Sequence, residues 1–435
     1  MSKKTFMPIF ENEAQLKDHQ LRGLKWTVAH AYQGSPAYRA KLDAAGIRPS
    51  DIHSLEDLVR LPFTTADDLR NGYPLPLVSV PIEKVVRVHS SSGTTGTRKN
   101  LCYTQKDIDD WTHFFARAYE MAGVTCHDRV QIAVGYGIWT AGAGFQTACE
   151  KIGAMALPLG PGNVDLQCQF LVDLQPTVLC CTASMGLLMA EEVNRRGIGD
   201  RIALKKIIYG SERSSVSMRQ KISELLGGAE LFDIPGLTEL YGPGTGIECP
   251  DHDCIHYWSD YYLLEILDAN TLEPLADGEW GEMVVTTLRK EAVPLIRYRT
   301  RDITRILPGP CTCGSILPRH SRILGRTDDM FKFRAVNIYP SSIDSIISEN
   351  KELGSEYQIH LSRDEALRDQ MILKVERAET LAESQTERLA QVLIGTVKKK
   401  LMITPEVQIV AYGALPRSER KSQRVFDTRI QDSIL

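Results

Sequence analysis

The 435-residue chain carries almost no excess charge: 51 Lys and Arg stand against 55 Asp and Glu, a net charge of −4. That balance leaves out the basic footprint of a nucleic-acid-binding domain, so no nucleic-acid partner is expected. The opening residues MSKKTFMPIFENEAQLKDHQ lack the apolar core of a signal peptide. The longest apolar stretch, Thr177 to Ala190, is interrupted by Thr182 and Ser184 and is too short to span a bilayer. No membrane partner is therefore expected, and the location implied is cytoplasmic. Thiols stay reduced there, which removes disulfides as the reason for ten cysteines. Internal repeats and low-complexity segments are also lacking.

What is present begins with His89–Asn100, reading HSSSGTTGTRKN. It sets the hydroxyls of Ser90, Ser91, Ser92, Thr94 and Thr95 and two glycines, Gly93 and Gly96, between strand-like runs at 85–88 and 101–104. Glycines let backbone N–H groups approach an anion, hydroxyls donate to phosphate oxygens, and Arg98 and Lys99 add positive charge. The usual G-x-x-x-x-G-K-[ST] spacing is missing, so this is a different kind of phosphate grip. A Ser/Gly linker has similar composition, but flanking strands argue against one.

Length alone implies two or three domains with a large core. From about 128 to 233 apolar strand-like runs alternate with amphipathic helical ones, the signature of βαβ units around a mainly parallel sheet. Ligands of such sheets gather at the carboxyl ends of the strands. The helix after the phosphate-like loop is expected over about 107–122, with Thr104 and Asp107 as its capping box and Ile108, Trp111, Phe115 and Ala118 as its buried stripe. After about residue 257 the chain turns β-rich. Beyond 328 comes a βαββαβ pattern, with helices expected at 341–350 and 380–400. The fold class is thus α/β: a large domain, 1–327, with a parallel βα sheet and a β-rich subdomain, then a small mobile α+β domain, 328–435.

Six motifs occur in order: SSSGTTG, GSE, GLTE, RYRTRD, GRTDDM and PRSERKSQR. Together they resemble the AMP-forming adenylate-forming enzymes, within them the phenylacetate–coenzyme A ligase branch. The resemblance implies ATP-dependent ligation of a carboxylic acid to coenzyme A through an acyl-adenylate. Two anions must meet in that chemistry, so charge has to be neutralised around them. It also implies roles for particular residues. The Ser92–Thr97 loop, with Ser92, Gly93, Thr94, Thr95 and Gly96, would hold the β- and γ-phosphates, and Thr238 would also belong to the nucleotide site. Glu239 would hold Mg2+, a hard ion suited to carboxylate oxygen. Lys421 would bridge carboxylate and α-phosphate, and Asp302 would accept the ribose hydroxyls. Ser211, Glu212, Asp233 and Pro235 would line the adenine pocket, Arg326 would lie near ribose or phosphate, and Asp328 would be the hinge of the small domain.

The resemblance also marks departures. Thr97, Arg98 and Lys99 follow the second glycine where the family has GKP, so the basic contact shifts along the chain. Pro235 replaces an aromatic, and Ala335 replaces a glycine near the pantetheine arm.

Four clustered thiols, Cys249, Cys254, Cys311 and Cys313, with His252 and His256 nearby, are two short ligand pairs far apart in sequence, a pattern that closes a tetrahedral zinc site. Unliganded buried thiols are the plainer reading of the same residues. The ligase branch favours Cys249, His256, Cys311 and Cys313 as a structural Zn2+ site, with Cys254 in place of His256 as the alternative. The acyl pocket is expected around Tyr136, Gly137 and Trp139, with Phe145 shortening it and Gln146 offering a hydrogen bond. Flat walls of this kind suit phenylacetate or a related aryl acid. A small hydroxy or branched acid is the alternative substrate, and a carrier protein is the alternative acceptor. A homodimer is the assembly the family implies.

Overall fold

The structure, a computed structural model, describes residues 6–8, 10–91, 98–212, 214, 216–329, 331–334, 336–364, 368–416 and 424–429. Its contacts divide the chain into two units: Met1–Cys181, Ile202–Ser211 and Glu230–Ile323 form the first, and Thr182–Arg201, Glu212–Ala229 and Leu324–Leu435 the second.

The first unit is built on a five-stranded sheet in the order Met155–Leu157, Arg129–Ile132, Val178–Thr182, Lys206–Gly210, Glu230–Asp233. The registers Val130 to Val178 and Ile207 to Leu231 are parallel, as the alternating pattern predicts. The chain enters the sheet at its second strand, Arg129–Ile132, steps out to the edge and then winds back the other way, so strand order reverses between Arg129–Ile132 and Val178–Thr182. Residues 183–196 and 216–225 form the helices expected between the later strands.

The core helix runs Gln105–Met121, starting two residues before the expected point. Thr104 Oγ1 accepts from the Asp107 N–H at 3.1 Å and the Thr104 N–H donates back to Asp107 Oδ2 at 3.0 Å, which closes the capping box. Ile108, Trp111, Phe115 and Ala118 are all buried. Asp107 reaches further: its two oxygens also accept from the Glu291 and Ala292 N–H groups, at 2.7 and 2.9 Å. Gly144, on the helix Thr140–Lys151, allows that helix to close on the core one, because a Cβ there would meet Trp111 at 2.4 Å.

Beyond the sheet, Tyr262–Leu267, Gly281–Thr287 and Tyr298–Thr304 form an antiparallel run. Five of the six cysteines outside the cluster are buried among apolar side chains, but Cys126 is exposed. Cys126 lies instead in the polar turn that Asp128 Oδ2 organises by accepting from the Thr125 N–H.

In the second unit, a mixed sheet in the order Glu406–Val410, Asp369–Arg377, Leu353–Arg363, Val425–Asp427 packs with Pro340–Ser348 and Thr386–Leu401 around a separate apolar core. The longer helix begins at Thr386 rather than 380, since Glu383–Gln385 form a single 3₁₀ turn and the Thr386 hydroxyl donates to the Glu383 carbonyl. Lys398, Lys399 and Lys400 occupy its last turn, favourable to the helix dipole. In the same unit Glu191 takes an ion pair from Lys221 at 2.7 Å and a hydrogen bond from the Tyr412 hydroxyl. Among the described residues no helix is long and apolar enough to cross a membrane.

Candidate active site and thiol cluster

The GLTE segment sits at the tip of a tight hairpin. Gly236–Leu237 pairs with Gly242–Pro243, so closely that a Cβ on Gly236 would lie 2.3 Å from Pro243 Cα. The Tyr103 hydroxyl holds the tip by donating to the carbonyls of Tyr241 at 2.8 Å and Thr238 at 3.2 Å. Glu239 is thereby carried into the interior, 5% exposed. Lys99 forms an ion pair with its Oε1, and the Tyr298 hydroxyl donates to the same oxygen at 2.9 Å. Among the described residues nothing hydrogen-bonds Oε2. Burial pushes this carboxyl up, but the Lys99 charge and its hydrogen bond, with help from Tyr298, outweigh that and hold it below the ordinary range.

Below the hairpin lies Lys290, fully buried. Its ammonium donates to the Glu239 carbonyl at 2.7 Å and sits 5.0 and 5.1 Å from the Tyr103 and Tyr241 ring centroids. Desolvation lowers it to about 8, against the opposing pull of Asp107, Glu239 and Cys102. Ser91 and Lys99 are bound to each other by two hydrogen bonds, Ser91 N to Lys99 O at 3.0 Å and Lys99 N to Ser91 Oγ at 3.1 Å. Arg98, in contrast, is exposed and among the described residues reaches only the Ser91 carbonyl, at 3.4 Å.

Tyr298 and Asp302 lie four residues apart on a strand whose alternate residues, 298, 300, 302 and 304, are buried. Asp302 thus shares the face that meets Glu239, and its N–H donates to Thr300 Oγ1 at 3.0 Å. Ser211 takes a left-handed φ of 73° and is exposed. Glu212 accepts from the Ser184 N–H at 2.6 Å, at the start of the helix Ala183–Arg196. The Asp233 N–H donates to Glu248 at 2.9 Å. Arg326 and Asp328 form a two-point ion pair, 2.8 and 2.9 Å. Pro235 and Thr238 are half-buried. Ser92, Gly93, Thr94, Thr95, Gly96, Ala335 and Lys421 lie outside the described residues.

Around the expected acyl pocket, Tyr136 lays its ring over Gly142, where a Cβ would come within 2.6 Å, and its buried hydroxyl has no hydrogen-bond partner among the described residues. Gly137 takes a φ of 80°, and half-buried Trp139 opens the helix Thr140–Lys151. The Ile138 carbonyl between them accepts from the Ser90 N–H and from His89 Nδ1, which ties this loop to the strand leading into the phosphate-like loop. Phe145 is buried edge-on against Phe115, 4.8 Å between centroids. Gln146 donates along its own helix to Glu150 at 2.8 Å.

The thiol cluster draws in four thiols and the His256 ring, with the Asp251 carboxylate 3.8 Å from Cys311 Sγ. Cys249 Sγ lies 3.9 Å from Cys254 Sγ and 3.7 Å from Cys311 Sγ, and His256 joins them within 4.8 Å. Cys313 Sγ stands 3.3 Å from His256 Nε2 and within 4.8 Å of Cys249 and Cys311. His256 Nδ1 donates to the Leu317 carbonyl at 2.9 Å, which fixes the ring and leaves Nε2 toward the sulfurs. Sulfurs about 2.3 Å from a tetrahedral ion are about 3.8 Å apart, so this donor set fits zinc.

Tyr298 and Lys290 did not emerge from motif reading. Tyr298 had a signal, since it precedes Asp302 by four on an alternating strand. Lys290 had no signal, since it stands between Arg289 and Glu291 and reads as one more charged residue of a loop.

Comparison with known proteins completes the picture. Residues 30–288 match the AMP-binding enzyme family and residues 335–429 the AMP-binding enzyme C-terminal domain. The chain is 42% identical to the phenylacetate-coenzyme A ligase of Escherichia coli K12 and 40% to that of Pseudomonas putida, in each case over 95% of its length and 95% and 94% of theirs. Among solved structures, 2-hydroxyisobutyryl-CoA ligase in the postadenylation state with 2-HIB-AMP aligns over 99% of this chain and 96% of its own, with a TM-score of 0.89 at 25% identity.

Proposed function

Because the chain belongs to the phenylacetate–coenzyme A ligase branch of the AMP-binding enzymes, and so joins a carboxylic acid to coenzyme A in an AMP-forming reaction, we propose that its acid is phenylacetate or a related aryl acid. The observation that best supports the chemistry is Glu239: a buried, ionised carboxylate with one oxygen engaged by Lys99 and Tyr298 and the other left to a ligand. An oxygen of the acid attacks the α-phosphorus of ATP and pyrophosphate leaves. The coenzyme A thiol then attacks the acyl carbon and AMP leaves. Mg2+ held on Glu239 would neutralise phosphate charge. Asp302 would take the ribose hydroxyls, with Ser211, Glu212, Asp233 and Pro235 around adenine and Thr238 and Arg326 toward the phosphates. Lys421 would lie between carboxylate and α-phosphate.

In the same reading Zn2+ is structural. Cys249, His256, Cys311 and Cys313 would hold it, with Cys254 in place of His256 as the alternative. The catalytic lysine belongs to a small domain, 328–435, turning on Asp328 against the large one, 1–327. A cytoplasmic homodimer is part of this proposal.

Tyr136 and Trp139 support an aryl acid, while the likeness to 2-hydroxyisobutyryl-CoA ligase favours a small hydroxy acid as the second reading. Carboxylate-dependent ATP–pyrophosphate exchange over a panel of both acid types tests the choice, followed by AMP release on adding coenzyme A. Highest exchange with aryl acids is expected. Preference for 2-hydroxyisobutyrate would overturn the aryl assignment, and AMP release that needs a carrier protein would overturn the acceptor. Glu239→Gln should cut exchange about 100-fold or more.

A further inference from the structure

The geometry points to Lys99 as an exchangeable counter-ion of the metal-binding carboxylate: without nucleotide its ammonium neutralises Glu239, and a divalent cation arriving with the nucleotide displaces it toward the phosphate oxygens. This rests on the reading of Glu239 as the Mg2+ ligand.

Three observations carry it. First, Glu239 is buried, and a carboxylate there needs a compensating charge when no metal is bound. Lys99 and Tyr298 supply that compensation on a single oxygen, Oε1. A dication on the carboxylate would face the ammonium at short range and repel it.

Second, of the basic groups near Glu239 among the described residues, only Lys99 is free to move in this way. Lys290 is fully buried, fixed to the Glu239 carbonyl and held between two rings. Arg98 points to the Ser91 carbonyl rather than to Glu239. The Lys99 side chain is 17% exposed and ends a flexible stem.

Third, the main chain at Lys99 is fastened to Ser91 by two hydrogen bonds. Displacement therefore moves the side chain and not the backbone, and the released ammonium remains at the exit of the hydroxyl- and glycine-rich segment 92–97. That would account for a basic residue at position 99 in a chain with threonine at 97.

The test uses the full-length protein, with Mn2+ as the probe of the metal site. Free Mn2+ is counted by electron paramagnetic resonance, and ATP binding is measured by calorimetry with and without Mg2+. In Lys99→Met, Mn2+ should bind the nucleotide-free protein about tenfold more tightly and Mg–ATP about tenfold more weakly, with Lys99→Arg recovering most of the nucleotide affinity. Unchanged Mn2+ affinity, or unchanged Mg–ATP affinity, would overturn the exchange. If Lys99→Met does not fold, the same readings on Lys99→Gln, which keeps a donor toward Glu239, decide. Should Glu239→Gln, with Lys99 retained, bind Mn2+ as tightly as the wild type, the failure lies with Glu239 as metal ligand and not with Lys99.

Discussion

Lys290 donates to the main-chain carbonyl of Glu239 across 2.7 Å, so a buried cation braces the hairpin that carries the acid. Its ordinary pKa of 10.5 falls to about 8 through burial. Between those values the unfolded chain binds more protons than the folded one, so this residue's contribution to stability rises with pH from 8 to 10.5 and is least favourable below 8. Urea unfolding of wild type and Lys290→Met should give a stability difference that shifts toward wild type by up to about 3 kcal/mol across that window. A pH-independent difference would mean that the ammonium is not desolvated.

The thiol cluster predicts about one zinc per chain. Cys249→Ser and Cys311→Ser should each lose the metal and lower the melting temperature by roughly 5–10 °C. Cys254→Ser and His256→Ala should differ, the variant that keeps zinc marking the surplus donor. Metal content below about half an equivalent in wild type would dismiss the site.

Arg326 and Asp328 are joined by two hydrogen bonds next to the proposed pivot. Asp328→Pro restricts φ at that point and removes the carboxylate partner. Rapid-quench measurement of the two half-reactions should find thioester formation slowed at least about tenfold more than adenylation. Equal loss in both would remove the pivot role.

Two helical glycines should respond oppositely to alanine. At Gly144 the new Cβ meets Trp111 at 2.4 Å and Phe115 at 2.8 Å, and a cost of about 1–3 kcal/mol is expected. At exposed Gly395, in the helix Thr386–Leu401, nothing lies within 4 Å, and alanine should stabilise by about 1 kcal/mol. Thermal melts of the two variants check both signs.

Local chemistry explains what was legible beforehand. Thr104 and Asp107 announce a helix start through their own hydrogen bonds, and the apolar runs at 129–132, 178–182 and 206–210 read as strands because both faces are covered. The cysteines could be grouped from spacing, since ligand pairs are local. The contacts of Lys290 and Tyr298 with Glu239 could not, because they join residues 51 and 59 positions apart through a hairpin tip. Nor does sequence indicate that the helices at 183–196 and 216–225 group with the C-terminal segment. Spacing named the candidate donors of the thiol cluster but left the choice between Cys254 and His256 open, because both stand near Cys249 in sequence and in the fold.

The Asp107 carboxylate fastens the first turn of the core helix to Glu291 and Ala292, next to Lys290. Neither segment can open without releasing the other, so their amides form one exchange unit in deuterated water. Protection at Glu291 and Ala292 should therefore rise and fall with that of Ile108 and Asp109. The start of a helix outside the catalytic centre thus becomes a gauge of how tightly the floor beneath Glu239 is held.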